Sequence, residues 1–273
     1  MPADFVVIGA GVIGSSVAYH LALNGARNVV VLERDAAISE SSSASCARAT
    51  GGFRAQYGTG INVKLSLLAR RELLEFEAHT GINPGYEQHG YVFIASDNSE
   101  LEALTRAIAV QRAAGLEVTR VVTPEEIHAL NPALNLSGVV GGTFCPWDGF
   151  IRPLELQRGY QAAAERLGVR FVFNAETRLE VNGAGRGSVL FGGERLEPDC
   201  IVNAAGAWAD TLGSDLRIPV TPVKRQIAAT IPTNALPTDM PMSIFAGNGF
   251  HLRVRDGRVL LLMPRQHTAP TTS

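Results

Sequence analysis

Three glycines, Gly9, Gly11 and Gly14, follow the apolar run Phe5-Val6-Val7-Ile8, and a second apolar run, Val29 to Leu32, ends at Glu33-Arg34. Each residue type in this order has a task if a diphosphate is to be held. Gly9 permits a tight turn, Gly11 lets the main chain approach phosphate oxygens, and Gly14 allows a helix to pack closely on a strand. The start of that helix then offers unpaired N–H groups and a positive dipole end, with Val12 and Ile13 in its first turn. Glu33 can accept hydrogen bonds from a ribose. A GxGxxG alone is a weak signal; set between strand and helix, with an acid after the next strand, it is specific for a dinucleotide. The carboxylate argues against a 2′-phosphate, which leaves FAD and NAD.

Other chemistry is sparse. Cys46, Cys145 and Cys200 show no CxxC spacing, and none of the six histidines lies three to five residues from another. The expectation is no disulfide framework, no metal site and a reduced, cytoplasmic chain. No nucleophile triad or general base stands out. His251 and Arg253 read as exposed or structural, and His20 as a packed helix residue.

The elements that must position these groups need a core. Of 273 residues, 46% are hydrophobic and only 18% charged, which excludes a disordered chain. A net charge of −2 gives no general field for nucleic acid. Phe5 to Leu23 approaches the length of a membrane span, but Gly9, Gly11, Gly14, Ser15, Ser16 and His20 interrupt it, so strand, turn and helix are expected and no transmembrane segment.

The first helix is expected to run to about Asn24, stopped by Gly25. Ser39 to Ser45 reads as a loop. An amphipathic helix is expected over 62–79, its stripe Leu65, Leu68, Ala69, Leu73 and Phe76 serving as core. Strands follow at Gly90 to Ala95 and Gly138 to Phe144, with a helix between them over 100–114. Thr123-Pro124-Glu125-Glu126 is a capping box that starts a short helix, and Trp147-Asp148-Gly149 a turn. Pro153 opens a helix that Gly168 closes. Val169 to Phe173 is a strand, Gly183 to Gly187 a turn, and Cys200-Ile201-Val202 a third buried-type strand. Lys224-Arg225-Gln226 begins a further strand. Asp256-Gly257 joins two strands in a hairpin.

Val6 to Gly14, Glu33-Arg34, Ser45 to Arg54 and Asn203 to Trp208 together resemble the FAD-dependent D-amino-acid-oxidase-like (DAO) family. Within it the sarcosine oxidase and glycine oxidase branch is nearest. The run Gly51-Gly52-Phe53-Arg54-Ala55-Gln56-Tyr57-Gly58 looks most like β subunits of heteromeric sarcosine oxidases and dye-linked proline dehydrogenases. The resemblance implies an α/β fold: a Rossmann-like FAD-binding domain, discontinuous over 1–80 and 150–220, and an α+β substrate domain with a mainly antiparallel sheet, over 81–149 and 221–273.

It implies FAD as cofactor. Gly9, Gly11, Val12, Ile13 and Gly14 would hold the pyrophosphate, and Glu33 the adenosine ribose, with Arg34 beside it. Ser45, Cys46, Arg48, Ala49, Thr50, Gly51 and Gly52 would run along the pyrophosphate and under the flavin. Ala205, Gly206 and Trp208 would add a later contact. Arg54 would pair with a substrate carboxylate, as a planar guanidinium can in bidentate fashion. The implied reaction oxidises the C–N bond of a small amine or amino acid, of sarcosine, proline or glycine type, to an imine, with the hydride equivalent going to flavin N5. A partner subunit or other electron acceptor would take the electrons. Relatives continue past the hairpin, so the chain is expected to be C-terminally truncated. Two further classes remain open from sequence: a flavin-binding assembly protein without turnover, and an NAD-dependent dehydrogenase.

Overall fold

Val6, Val7, Val30 and Val31 are fully buried, because the two short runs that hold them lie side by side in a sheet covered on both faces. The structure, a computed structural model, describes residues 3–40, 42, 44–181, 187–213 and 218–264. The chain begins β1 (Phe5–Ile8), α1 (Val12–Leu23), β2 (Val29–Leu32), α2 (Ser45–Arg48), β3 (Gly52–Phe53) and α3 (Gly60–Thr80). Next come β4 (Tyr91–Ala95), α4 (Asn98–Ala113), β5 (Arg120–Val122), α5 (Pro124–Leu130), β6 (Gly141–Cys145) and β7 (Gly149–Phe150). After α6 (Pro153–Arg166) and β8 (Arg170–Val172), the strands β9 (Thr177–Val181), β10 (Gly187–Phe191), β11 (Glu194–Leu196) and β12 (Cys200–Asn203) lead into a 3₁₀ turn at Gly206–Thr211. The last strands are β13 (Ala228–Ala229), β14 (Met242–Phe245), β15 (His251–Arg255) and β16 (Arg258–Leu262).

The first sheet is parallel, in the order β12-β1-β2-β8. Val7, Val29 and Val31 face Ala18 and Tyr19 of α1 and Tyr160, Ala163 and Ala164 of α6. Val6, Ile8, Val30 and Leu32 face Val189, Phe191 and Leu196 of the antiparallel meander β9-β10-β11. Helices cover one face and a meander the other, which is why neither run alternates with polar residues. Each such side chain contributes about 1.5–3 kcal/mol by leaving water. The second sheet has seven strands in the order β13-β16-β15-β14-β4-β6-β5. Its pairs are antiparallel except β14 with β4, where Met242 lies opposite Tyr91. This is the α/β architecture anticipated, with a Rossmann-like layer and a mixed, mainly antiparallel second sheet. The short pair β3–β7 sets Gly52 opposite Phe150.

Local signals explain most helix ends. The capping box of α5 is complete: the Glu126 N–H donates to Thr123 Oγ1 at 3.3 Å, and the Thr123 N–H to Glu126 Oε2 at 2.9 Å. The hairpin turn is formed by Asp256 and Gly257, both at positive φ. Other expectations change. The α3 stripe divides: Leu73 and Phe76 are buried, whereas Leu65 and Leu68 are each 55% exposed. At 21 residues, and so about 31 Å, α3 outruns its support on α6, where Phe76 meets Tyr160 edge-on at 4.9 Å. β12 lies at the sheet edge, which leaves Cys200 exposed. Lys224-Arg225-Gln226 does not form a strand, and the strand β13 begins only at Ala228. The turn expected from Gly183 lies at residues outside the described set, as do Ser41 and Ser43 of the serine-rich loop. Among the described residues no helix is long and apolar enough to cross a membrane.

Candidate cofactor and substrate site

The turn after β1 is made of main chain brought very close to main chain. Gly9 sits at φ +99°, and a Cβ there would lie 2.6 Å from the Ala204 carbonyl oxygen. A Cβ on Gly14 would collide with the Gly9 carbonyl oxygen, whereas one on Gly11 would have no atom within 4 Å. Two of the glycines are therefore needed for packing, and the third opens onto empty space. The turn is fixed from behind: Ser15 Oγ donates to the Ala10 carbonyl at 3.0 Å and the buried Gln157 Nε2 to the same oxygen at 2.5 Å. No side chain caps α1 from Gly11, and the Val12 N–H meets the Cys46 thiol sulfur at 3.4 Å.

Glu33 is drawn to this turn. Its Oε2 accepts the Ala10 N–H at 2.8 Å and its Oε1 the Asp35 N–H at 3.0 Å. Each oxygen keeps acceptor capacity for a further donor. The Arg34 guanidinium lies 3.8 Å from the centroid of the Trp208 ring. Between these groups runs a crevice of about 380 Å³. Of the residues singled out from sequence, Gly9, Gly11, Val12, Ile13, Glu33, Arg34, Ser45, Cys46, Ala205, Gly206 and Trp208 line it. Gly14 is buried beneath the turn. Ala175, Glu176, Thr177, Thr211 and Leu212 also line it and were not foreseen. The first three follow the carboxyl end of β8, where parallel sheets place their ligand crevices, so the signal was the strand itself.

Arg48, Ala49, Thr50 and Gly51 do not line this crevice. They form a strap that leads to a second, open cavity of about 410 Å³, lined by Gly52, Phe53, Arg54, Tyr57 and one side of α3. The Arg54 guanidinium carbon lies 4.5 Å from the Tyr57 ring centroid and 5.6 Å from that of Phe93. Among the described residues no carboxylate pairs with it.

The segment after the strap hangs on a buried carboxylate that sequence reasoning had placed only in a turn. Asp148 is fully buried. Its Oδ1 accepts the Ala55 N–H at 2.6 Å and its Oδ2 accepts Gln56 Nε2 at 3.0 Å. Gln56 Nε2 also donates to the Tyr91 carbonyl at 3.0 Å, and Gln56 Oε1 accepts Thr143 Oγ1 at 3.2 Å. Loss of solvent pushes Asp148 up to about 6 against the pull of those N–H donors. Burial also raises the Tyr91 phenol and draws the Arg253 guanidinium down to about 10.

A crevice with an uncapped helix start, a position a Cβ would fill and an anchored acid at the ribose end fits the diphosphate and adenosine of FAD. The serine-rich stretch and strap lie next to it in the chain. A parallel nucleotide-binding layer joined to a large mixed sheet of this kind defines a class of flavin-dependent oxidoreductases. The chain belongs to that class: the family described as DAO, FAD dependent oxidoreductase, matches residues 4–271, and FAD is the family's cofactor. The chain is 32% identical over 263 residues to mitochondrial dimethylglycine dehydrogenase of Rattus norvegicus, covering 93% of this chain and 30% of that protein. It thus spans about a third of the length of that relative. Among solved structures, L-proline dehydrogenase from P. horikoshii superposes with a TM-score of 0.87 at 25% identity, covering 99% of this chain and 72% of that one. Glycine oxidase from Geobacillus kaustophilus does so with a TM-score of 0.78 at 25% identity, over 98% and 72%. The chain is thus related to sarcosine and glycine oxidase and proline dehydrogenase homologues alike, with no single branch favoured.

Proposed function

We propose that this chain holds FAD along the crevice and strap and oxidises the C–N bond of a small amine that carries a carboxylate. The observation that carries the reading is Arg54: a cation steadied by two aromatic rings, without a carboxylate of its own among the described residues, open to a cavity of about 410 Å³. Gly9, Gly11, Val12 and Ile13 would face the diphosphate, Glu33 the ribose hydroxyls, and Ala205, Gly206 and Trp208 the far wall. Gly14 would act only through packing. Arg48 to Gly52 would lie along the flavin. The two-part division, 1–80 with 150–220 and 81–149 with 221–273, would give each large sheet its own part.

Arg54 would fix the substrate by its carboxylate, so that the carbon bonded to nitrogen is presented in one orientation. FAD, when bound, would supply the acceptor for the hydride equivalent that leaves that carbon. The nitrogen lone pair closes the C=N bond, and water then splits the imine into a carbonyl compound and an amine. Tyr57 and Phe93 exclude water from one side of the guanidinium, which strengthens its pairing with a carboxylate. The names of the relatives suggest dimethylglycine, sarcosine, proline and glycine as the first substrates to try.

The test is anaerobic loss of the visible flavin absorbance on adding each of these in turn. Arg54→Ala is expected to keep its flavin and to need about 100-fold more substrate, the loss of a charged hydrogen-bonded pair. A matching carboxylate-free amine should lose nothing. Equal bleaching by native and variant chains would remove Arg54 from the site.

A further inference from the structure

β15 lies in the second sheet, yet two of its side chains cross to the strap. Arg253 is only 4% exposed. Its Nη1 donates to the carbonyls of Thr50 at 2.8 Å and Gly51 at 3.2 Å, and its Nε to the Val254 carbonyl at 3.2 Å. The guanidinium carbon lies 3.4 Å from the Phe150 ring centroid. Arg255 Nη1 donates to the Ala49 carbonyl at 2.9 Å. A buried cation is costly unless its donors are satisfied. For Arg253 carbonyl oxygens and a ring face serve, with no carboxylate at ion-pair distance among the described residues, whereas Arg255 also meets Asp256 at 3.6 Å.

Three consecutive carbonyls, those of Ala49, Thr50 and Gly51, are thereby turned toward β15, the last of them shared with the Ile151 N–H at 2.8 Å. The described peptide bonds are all trans, and in a planar trans unit the following N–H points opposite to the carbonyl. The N–H groups of Thr50, Gly51 and Gly52 must then face away from β15. Among the described residues no acceptor meets them. The bend is set by Gly51, at φ +74°, where a Cβ would collide with the Ile151 carbonyl oxygen. A strap pinned on one side, with a row of unused donors on the other, is shaped for a planar group whose edge is rich in acceptors.

We propose that Arg253 and Arg255 are positioning residues of the cofactor site: by holding the three strap carbonyls they aim the Thr50, Gly51 and Gly52 N–H groups at the flavin ring. The inference rests on the FAD reading above. It is tested on the full chain by amide hydrogen exchange with and without saturating FAD, read separately at the strap and at the first turn. In the native chain FAD should slow exchange at both. In Arg253→Met the slowing at residues 50–52 should shrink about tenfold while that at residues 11–14 persists, as expected for losing hydrogen bonds to a charged donor. Arg253→Lys, a single point donor, should fall between. If Arg253→Met fails to fold, Arg255→Met, at a more exposed side chain, decides on the same readout. Native slowing at 50–52 in the variants would overturn the clasp alone. Absence of slowing anywhere in the native chain would instead overturn the FAD reading.

Discussion

Gly9 to Glu33 belong to one β1–α1–β2 unit, and the turn they form is tied within that unit by the Ala10 N–H on Glu33, with Gln157 bracing it from behind. The strap from Ala49 to Gln56 is secured from far along the chain: Asp148 stands 93 residues beyond Ala55, and Arg253 lies 203 residues beyond Thr50. The first region is made of main chain and needs small residues; the second is made of side chains and needs buried charges to be met. Damage to the first should therefore act on binding with little effect on folding where the added atom finds room. Damage to the second should act on stability and geometry together.

Gly11→Val offers the sharpest break. Its Cβ enters open crevice, so the urea midpoint should move little, while FAD affinity falls at least about 100-fold through lost diphosphate approach. Unchanged affinity by fluorescence titration would place the diphosphate elsewhere. At the strap, Asp148→Ala leaves the Ala55 N–H and the Gln56 amide without their acceptor, at a cost of about 3 kcal/mol in urea unfolding.

Asp148 also has a pH signature. Its carboxyl, raised to about 6 from 3.8, keeps its proton in the folded state to higher pH than in the unfolded chain. The stability it contributes is fully present below pH 3.8 and is lost as pH rises through about 6, a change of about 2–3 kcal/mol. Asp148→Asn should lack that slope, so the stability gap between native and variant narrows by this amount from pH 4 to pH 7. Parallel profiles would show that Asp148 does not titrate in this window. The smallest effect belongs to the crevice wall: Trp208→Ala removes the ring under Arg34 and should weaken FAD binding about fivefold, the worth of one partly exposed cation–π contact. A larger loss would mean that the indole touches the cofactor directly.

The same contrast explains what could be read from sequence. GxGxxG and the acid after β2 are local patterns with local consequences, and the Thr123 capping box and the Asp256-Gly257 turn are as well. α3 shows the limit of periodicity: Leu65 and Leu68 repeat with Leu73 and Phe76, but only the latter two find a surface on α6. The meander β9–β11 carries no glycine motif that ties it to the first sheet, and only the packing of Val189, Phe191 and Leu196 reveals it as a cover for Val6 and Leu32. Asp148 and Arg253 look like ordinary charged residues in a turn and a strand. Nothing nearby in sequence shows that each is buried against a segment drawn from far along the chain.

The thiol of Cys46 at the Val12 N–H bears on competition for that position. An uncapped helix start attracts anions, and a carboxylate anchored there would rival the diphosphate for the same donor. No acidic residue occupies the first turn of α1; sulfur, a weak acceptor, engages the donor instead. It can be displaced at little cost, so the Val12 N–H is satisfied yet available to an anion.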